Sequence, residues 1–388
     1  MSIKNLVSKK VASIPKSAIH EMTALSKKIK DVAFLSWAKP TSGTPDHISK
    51  AASEAINRGL TGGYSETAGL EDLREEIAKK LKRKNNISAD PSEILVTVGA
   101  IEGLSAAIMT VVDPGDEVII PVPGYSTHIR QVELASGKPV LVPTIEEKGF
   151  KLDLNQIQDA VTSKTKALVF SSPNNPTGAV YKEEELRSIA DVAQKNNLII
   201  ITDEAYEYFT FDGIKHFSIG SIEGIKDRVI STFTFTKTYA MTGWRVGYVH
   251  ASKEWIDQIK KAHIPLCICA PVVSQYAALE ALRGPQDCID QFHSHYLATR
   301  DLMCSRLDTL DHVFTYQKPR GSYLMFPKMI RQQDQDSRTF ALGLLQKAHV
   351  STTPGIAFKG DGHVRMSFCV PEKEINTAFD RMKEYFSS

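Results

Sequence analysis

An α/β fold is predicted, with a large, mostly parallel seven-stranded sheet flanked by helices and a smaller α+β unit after it. Three observations predict it. Seven short runs, at residues 94–98, 117–120, 138–142, 167–170, 198–202, 229–233 and 247–250, are mostly rich in Val and Ile and bounded by Gly, Pro or Asp, as buried strands are. Helical patterns at 101–112, 127–135, 154–161 and 182–196 lie between several of them, and such alternation builds a parallel sheet. Beyond about residue 284 the rhythm changes to one long amphipathic helix over 286–309, strands at 322–326 and 364–368, and helices at 337–348 and 372–386. Residues 46–284 are expected to form the large domain and 285–388 the small one. Residues 1–45 lack a sheet pattern and are expected to pack on the small domain.

A chain of 388 residues suits about two domains. Its 47 Lys and Arg against 45 Asp and Glu leave a formal charge of +2, which argues against a nucleic-acid or membrane-surface partner. No uncharged apolar run reaches the ~18 residues of a membrane span. Residues 1–22 carry basic groups but no apolar signal core. The five cysteines are scattered, and Cys267 and Cys269 do not have the CxxC spacing of a zinc site. Reduced thiols, a cytoplasmic location and no metal are the expectations.

Four segments carry chemistry, in chain order. The strand at 94–98 runs into Gly99-Ala100-Ile101 and a helix, where small residues leave backbone N–H groups open to a phosphate. Alone this is an ordinary strand-to-helix turn. Ser171-Ser-Pro-Asn-Asn175-Pro-Thr-Gly178 makes a tight turn after the next strand. There Asn175 can donate to a ring hydroxyl or a carboxylate. The strand at 198–202 ends in Asp203-Glu-Ala-Tyr206. A carboxylate at the floor of such a crevice is costly unless it meets a cation. A protonated pyridine nitrogen is such a cation, and a pyridoxal cofactor needs that acidic partner. A plain helix N-cap is the competing reading for Asp203. Last, Thr234-Phe-Thr236-Lys237 is followed eight positions on by Arg245. An amine nucleophile works when desolvation or neighbouring positive charge lowers its pKa, and hydroxyls with a guanidinium suit a phosphate.

Taken together, FTKTYAMTGWRVGY, NNPTG, the Asp203 segment and the Gly99 turn closely resemble the pyridoxal-phosphate-dependent aminotransferases of fold type I, class I/II, over roughly residues 30–380. The resemblance implies that Lys237 carries the cofactor aldehyde and shuttles the proton, that Asp203 keeps the pyridine nitrogen protonated, and that Asn175 and Tyr206 bond the ring oxygen. It implies a phosphate site of Thr234, Thr236, Arg245 and the backbone at Gly99, Ala100 and Ile101. Tyr125 would stack on the ring, and His128 would orient Asp203. Arg365 would clamp the substrate carboxylate. Tyr64 matches a tyrosine that reaches the neighbouring subunit's phosphate, which implies a homodimer with shared active sites.

The chain also departs from the family pattern. Ala38 stands where a glycine is usual, Trp37 adds bulk, and Lys39 reverses an acidic charge. Ile101 stands where aspartate-type members often carry a lysine. Trp37 and Ala38 are therefore expected at the substrate's side of the site, with Tyr323 a further wall residue. The expected reaction is ping-pong transfer of an amino group between an amino acid and a 2-oxo acid, the donor neutral or aromatic rather than aspartate. The alternative is a lyase, synthase or oxidase on the same fold. A cofactor-binding transcription regulator is the reading from another class. It is disfavoured by the near-neutral charge and by the roughly 30 residues that precede the resemblance.

Overall fold

The computed structural model describes residues 6–330 and 336–387. Its central sheet comprises β1 (Ile94–Thr97), β2 (Glu117–Val122), β3 (Lys138–Pro143), β4 (Thr165–Ser171), β5 (Ile199–Asp203), β6 (Val229–Thr234) and β7 (Gly247–His250). They lie in the order β1-β7-β6-β5-β4-β2-β3. Only β7 runs antiparallel to its neighbours; the other pairs are parallel. Residues 235–246 between β6 and β7 hold a four-residue helical turn, too little for the helical crossover a parallel pairing needs.

Successive strand residues serve opposite faces. Val118 and Ile120 join one apolar cluster with Leu104 and Ile108. Ile119 joins another with Leu186 and Ile189. Both faces are thus covered by helices, which is why the strands read as unbroken apolar runs. The exception is β3 at the sheet's edge, with one buried residue of its six. Its Lys138 pairs with Glu117 across the ladder.

The N-terminal segment is not free of sheet as expected. Ala33–Phe34 pairs in parallel with Val350–Ser351. The helix α1 (Ala18–Ser26), capped by the Ser17 hydroxyl, packs Met22 with Ala341 and Leu345. The expected strand at 322–326 contracts to Leu324–Met325, because Ser322 turns at φ 59° and Pro327 follows. It joins Val364–Ser367 and Thr353–Pro354 in a three-stranded antiparallel sheet. Helices Asp287–Asp308 and Glu372–Ser387 share an apolar cluster beside it. The sequence reading did not name the helices Asp46–Asn57, Glu71–Asn85, Lys253–Cys267 and Val272–Arg283. The second buries Leu73, Ile77 and Leu81, a four-residue spacing on one helical face. No helix among the described residues is long and apolar enough to cross a membrane.

Candidate active site

A cavity of about 510 Å³ opens at the carboxyl ends of β4, β5 and β6. It gathers the residues predicted for the site except Gly99, Tyr64, His128 and Tyr323. His128 stands behind Asp203. Tyr323, expected on the wall, is wholly buried in an apolar cluster instead. Topology does this: Asn175 follows β4, Asp203 ends β5, and Thr234 ends β6. A crevice outside the carboxyl ends of such strands is the usual place for a ligand.

Lys237 lies in the helical turn directly after β6. Its Nζ donates to the Ala38 carbonyl at 2.8 Å and sits 5.7 Å from the ring centres of both Tyr206 and Tyr323. Burial holds the amine down from 10.5 to about 8, with the Arg365 and Arg245 cations pushing the same way and the Asp203 carboxylate opposing. Asp203 is buried; its Oδ2 faces His128 Nε2 at 3.2 Å, and its Oδ1 accepts the Ala205 N–H at 3.2 Å. The Tyr125 ring meets the His128 ring edge-on at 5.5 Å. Burial raises the pKa of the Tyr206 phenol well above its ordinary value, so it stays protonated and able to donate.

The anion cradle is built at the helix α2 (Gly99–Val111). Gly99 has φ 73°, a left-handed conformation, and a Cβ there would meet Arg245 Nη2 at 2.7 Å. Only glycine leaves the guanidinium and the helix start side by side. The Thr234 hydroxyl caps the turn that carries Lys237 by accepting the Thr236 N–H at 3.1 Å.

Opposite lies Arg365, fully buried on the C-terminal sheet. It donates through Nη1 to Asn175 Oδ1 at 3.1 Å and through Nη2 to the Ser36 carbonyl at 2.8 Å. Its Nε is buried without a partner. The Ala38 carbonyl accepts both Lys237 and the Tyr323 hydroxyl, the latter at 3.1 Å. The stretch 36–38, just beyond the strand Ala33–Phe34, is thus tied to the site by its own backbone. Sequence reasoning missed Ile19, His20 and Thr23 of α1, which line the same cavity. A capped amphipathic helix is legible there, but its contact with a site some two hundred residues away is not.

Tyr64 lies elsewhere, 80% exposed, on the wall of a second cavity beside Val98 and Cys267.

The donor set fits pyridoxal phosphate: a guanidinium beside a glycine-opened helix start, a carboxylate floor, an amine below its ordinary pKa, and an unpartnered buried guanidinium N–H. Comparison with known proteins decides the family. The model of the aminotransferases of class I and II matches residues 31–382. The chain belongs to that family. It is an aminotransferase of fold type I, and pyridoxal phosphate is its cofactor. An aspartate aminotransferase of Pyrococcus abyssi is 40% identical over 95% of each chain. The aromatic-amino-acid aminotransferase 2 of Thermococcus litoralis is 36% identical over 97% of each. Among solved structures, the aromatic aminotransferase of Pyrococcus horikoshii superposes with a TM-score of 0.89, at 37% identity, over 94% of this chain and 98% of that one. The aspartate aminotransferase of Thermus thermophilus with maleate reaches 0.93, at 32% identity, over 97% and 99%.

Proposed function

We propose that this aminotransferase takes its amino group from a neutral or aromatic amino acid. The supporting observation is the cavity wall. Ile19, Trp37 and Ile101 supply apolar surface, and we assign the buried cation on that wall, Arg365, to the α-carboxylate. A second reading, an acidic donor, is favoured by Lys39, whose exposed side chain lines the same cavity. A panel of amino acids, each mixed singly with the cofactor-loaded protein and followed by absorbance, separates the two. Aromatic and neutral donors should convert the cofactor faster than aspartate and glutamate. Faster conversion by aspartate, abolished in Lys39→Ala, would establish the second reading.

The residues divide the work as follows. Pyridoxal phosphate supplies an electrophilic aldehyde and a ring that withdraws electrons from the substrate's α-carbon. Lys237 Nζ, part of whose population is neutral near pH 7, would take the proton from the substrate's α-carbon and hand it to the cofactor's aldehyde carbon, on the other side of the amino nitrogen. The Asp203 carboxylate, oriented by His128, would pair with the protonated ring nitrogen. Asn175 and the Tyr206 phenol would bond the ring oxygen. Tyr125 would pack against the ring. Arg245, Thr234, Thr236 and the backbone at Gly99, Ala100 and Ile101 would hold the phosphate. Arg365 would grip the substrate carboxylate, giving up its present partner Ser36. Trp37 and Ala38 would border the substrate.

The division of the chain at residues 45 and 284 is likewise proposed: the strand at Ala33–Phe34 and α1 contact the C-terminal unit; residues 1–5 lie outside the described residues. A homodimer is supported by apolar side chains left at the surface on two segments, Ile56, Leu60 and Tyr64, and Ile264, Leu266 and Ile268. A cytoplasmic setting fits the five unpaired cysteines.

A further inference from the structure

The Ala38 carbonyl has no donor in the backbone. Residues 37–39 lie outside any helix or strand and make no backbone–backbone hydrogen bond among the described residues. Two side chains set the carbonyl's direction instead, Lys237 Nζ at 2.8 Å and the Tyr323 hydroxyl at 3.1 Å. Together they fill the oxygen's two lone pairs. Tyr323 is itself held firmly. Its own carbonyl accepts the Phe368 N–H at 3.0 Å, just past the strand that carries Arg365. Its side chain is wholly buried, with its ring edge-on to those of Tyr206 and Tyr296 at 5.0 and 5.3 Å between centres. Such packing locks a rotamer and so fixes where the hydroxyl points.

We propose that Tyr323 is a positioning residue: its hydroxyl holds the Ala38 carbonyl, and through that carbonyl aims the Lys237 amine. The inference rests on the reading of Lys237 as the base. A neutral amine has two N–H groups and one lone pair. With one N–H on Ala38, the lone pair must point away from that oxygen, and free rotation about the last side-chain bond is lost. While Lys237 carries the cofactor, Tyr323 keeps the carbonyl in place, so the freed amine meets it again in the same orientation. The neighbouring carbonyls are held separately, Ser36 by Arg365 at 2.8 Å and Lys39 by Cys369 Sγ at 3.2 Å. Loss of the one hydroxyl should therefore loosen the amine without releasing the whole stretch.

Tyr323→Phe deletes the hydroxyl and keeps the ring. Tyr296→Phe is the control, because that hydroxyl is also buried but makes no hydrogen bond among the described residues. Cofactor-loaded samples are mixed with phenylalanine, or with aspartate should that donor prove faster, in ordinary and α-deuterated form. Stopped-flow absorbance gives the rate at saturation and the half-saturating concentration. In Tyr323→Phe the saturated rate should fall about tenfold, short of the ~10²-fold that a 1 Å misplacement costs. The half-saturating concentration should stay unchanged, and the deuterium effect should rise, because the proton step alone is slowed. Cofactor-stripped Tyr323→Phe should also capture free pyridoxal more slowly on the plateau above about pH 8. Tyr296→Phe should match the unaltered protein throughout. Borohydride labelling separates the two levels of the argument: a cofactor fixed away from Lys237 in the unaltered protein would remove the reading of that lysine, and this proposal with it. With the label on Lys237, an unchanged saturated rate, a change confined to the half-saturating concentration, or an equal loss in Tyr296→Phe would overturn the proposal.

Discussion

Lys237 shows how a residue type becomes a reagent through placement. Its amine is held to about 8 chiefly by burial. Below that pH it is mainly protonated and cannot attack an aldehyde; above it, it is mainly neutral. Capture of free pyridoxal by the cofactor-stripped protein should therefore accelerate about tenfold per pH unit up to about 8 and then level off. Stopped-flow absorbance reads this directly, and a rate still climbing toward 10.5 would show an ordinary lysine. Which residues meet at this scale was legible in the sequence. Lys237, Asn175, Asp203 and Arg245 each follow a strand or a strained turn closely enough for position and chemistry to be read together. What was not legible is the contact from outside: the Ala38 carbonyl on Lys237 depends on how residues 36–38 cross the cavity mouth, and no local pattern encodes that.

Among elements, the helix Glu71–Asn85 carries an internal charge. Lys80 is buried against Glu207 and Asn85 Oδ1, while Asn85 Nδ2 donates to Glu207 at 2.7 Å. Burial pulls the Lys80 amine's pKa down, and the Glu207 carboxylate opposes the fall. Removing the carboxylate strands the ammonium. Glu207→Ala should cost ~3–5 kcal/mol in urea unfolding, far more than a surface ion pair's ~0–1 kcal/mol. A loss under ~1 kcal/mol would mean that water or a shifted side chain relieves the charge. Glu207 follows Asp203 and Tyr206 in the same loop, so this pair also braces the floor of the site. The strands were read from apolar runs with errors of a residue or two, since tight turns bound them. Of the unnamed helices, Val272–Arg283 is buried nearly all round and leaves weak periodicity; Asp46–Asn57, Glu71–Asn85 and Lys253–Cys267 bury one face each, a pattern that was legible and passed over.

For the whole molecule, the exposed segments at 56–64 and 264–268 predict a partner. Light scattering should give twice the chain mass of 42.9 kDa. Tyr64→Phe should weaken cofactor retention without dissociating that dimer, because the proposed role of Tyr64 is a hydroxyl contact across the interface. A monomeric mass with full cofactor occupancy would remove the shared site. The overall α/β plan followed from the alternation of elements, whereas the reversal of β7 follows from the short connection after β6. The N-terminal strand on the C-terminal unit is a long-range pairing that only the folded chain brings together.

The central claim is that Lys237 holds the cofactor above Asp203. Reducing the pyridoxal-phosphate-loaded protein with borohydride, digesting it and weighing the peptides tests it most directly. The account predicts one cofactor mass on the peptide containing Lys237 and none in Lys237→Ala. A cofactor fixed at another lysine, or on no peptide after full reconstitution, would contradict it.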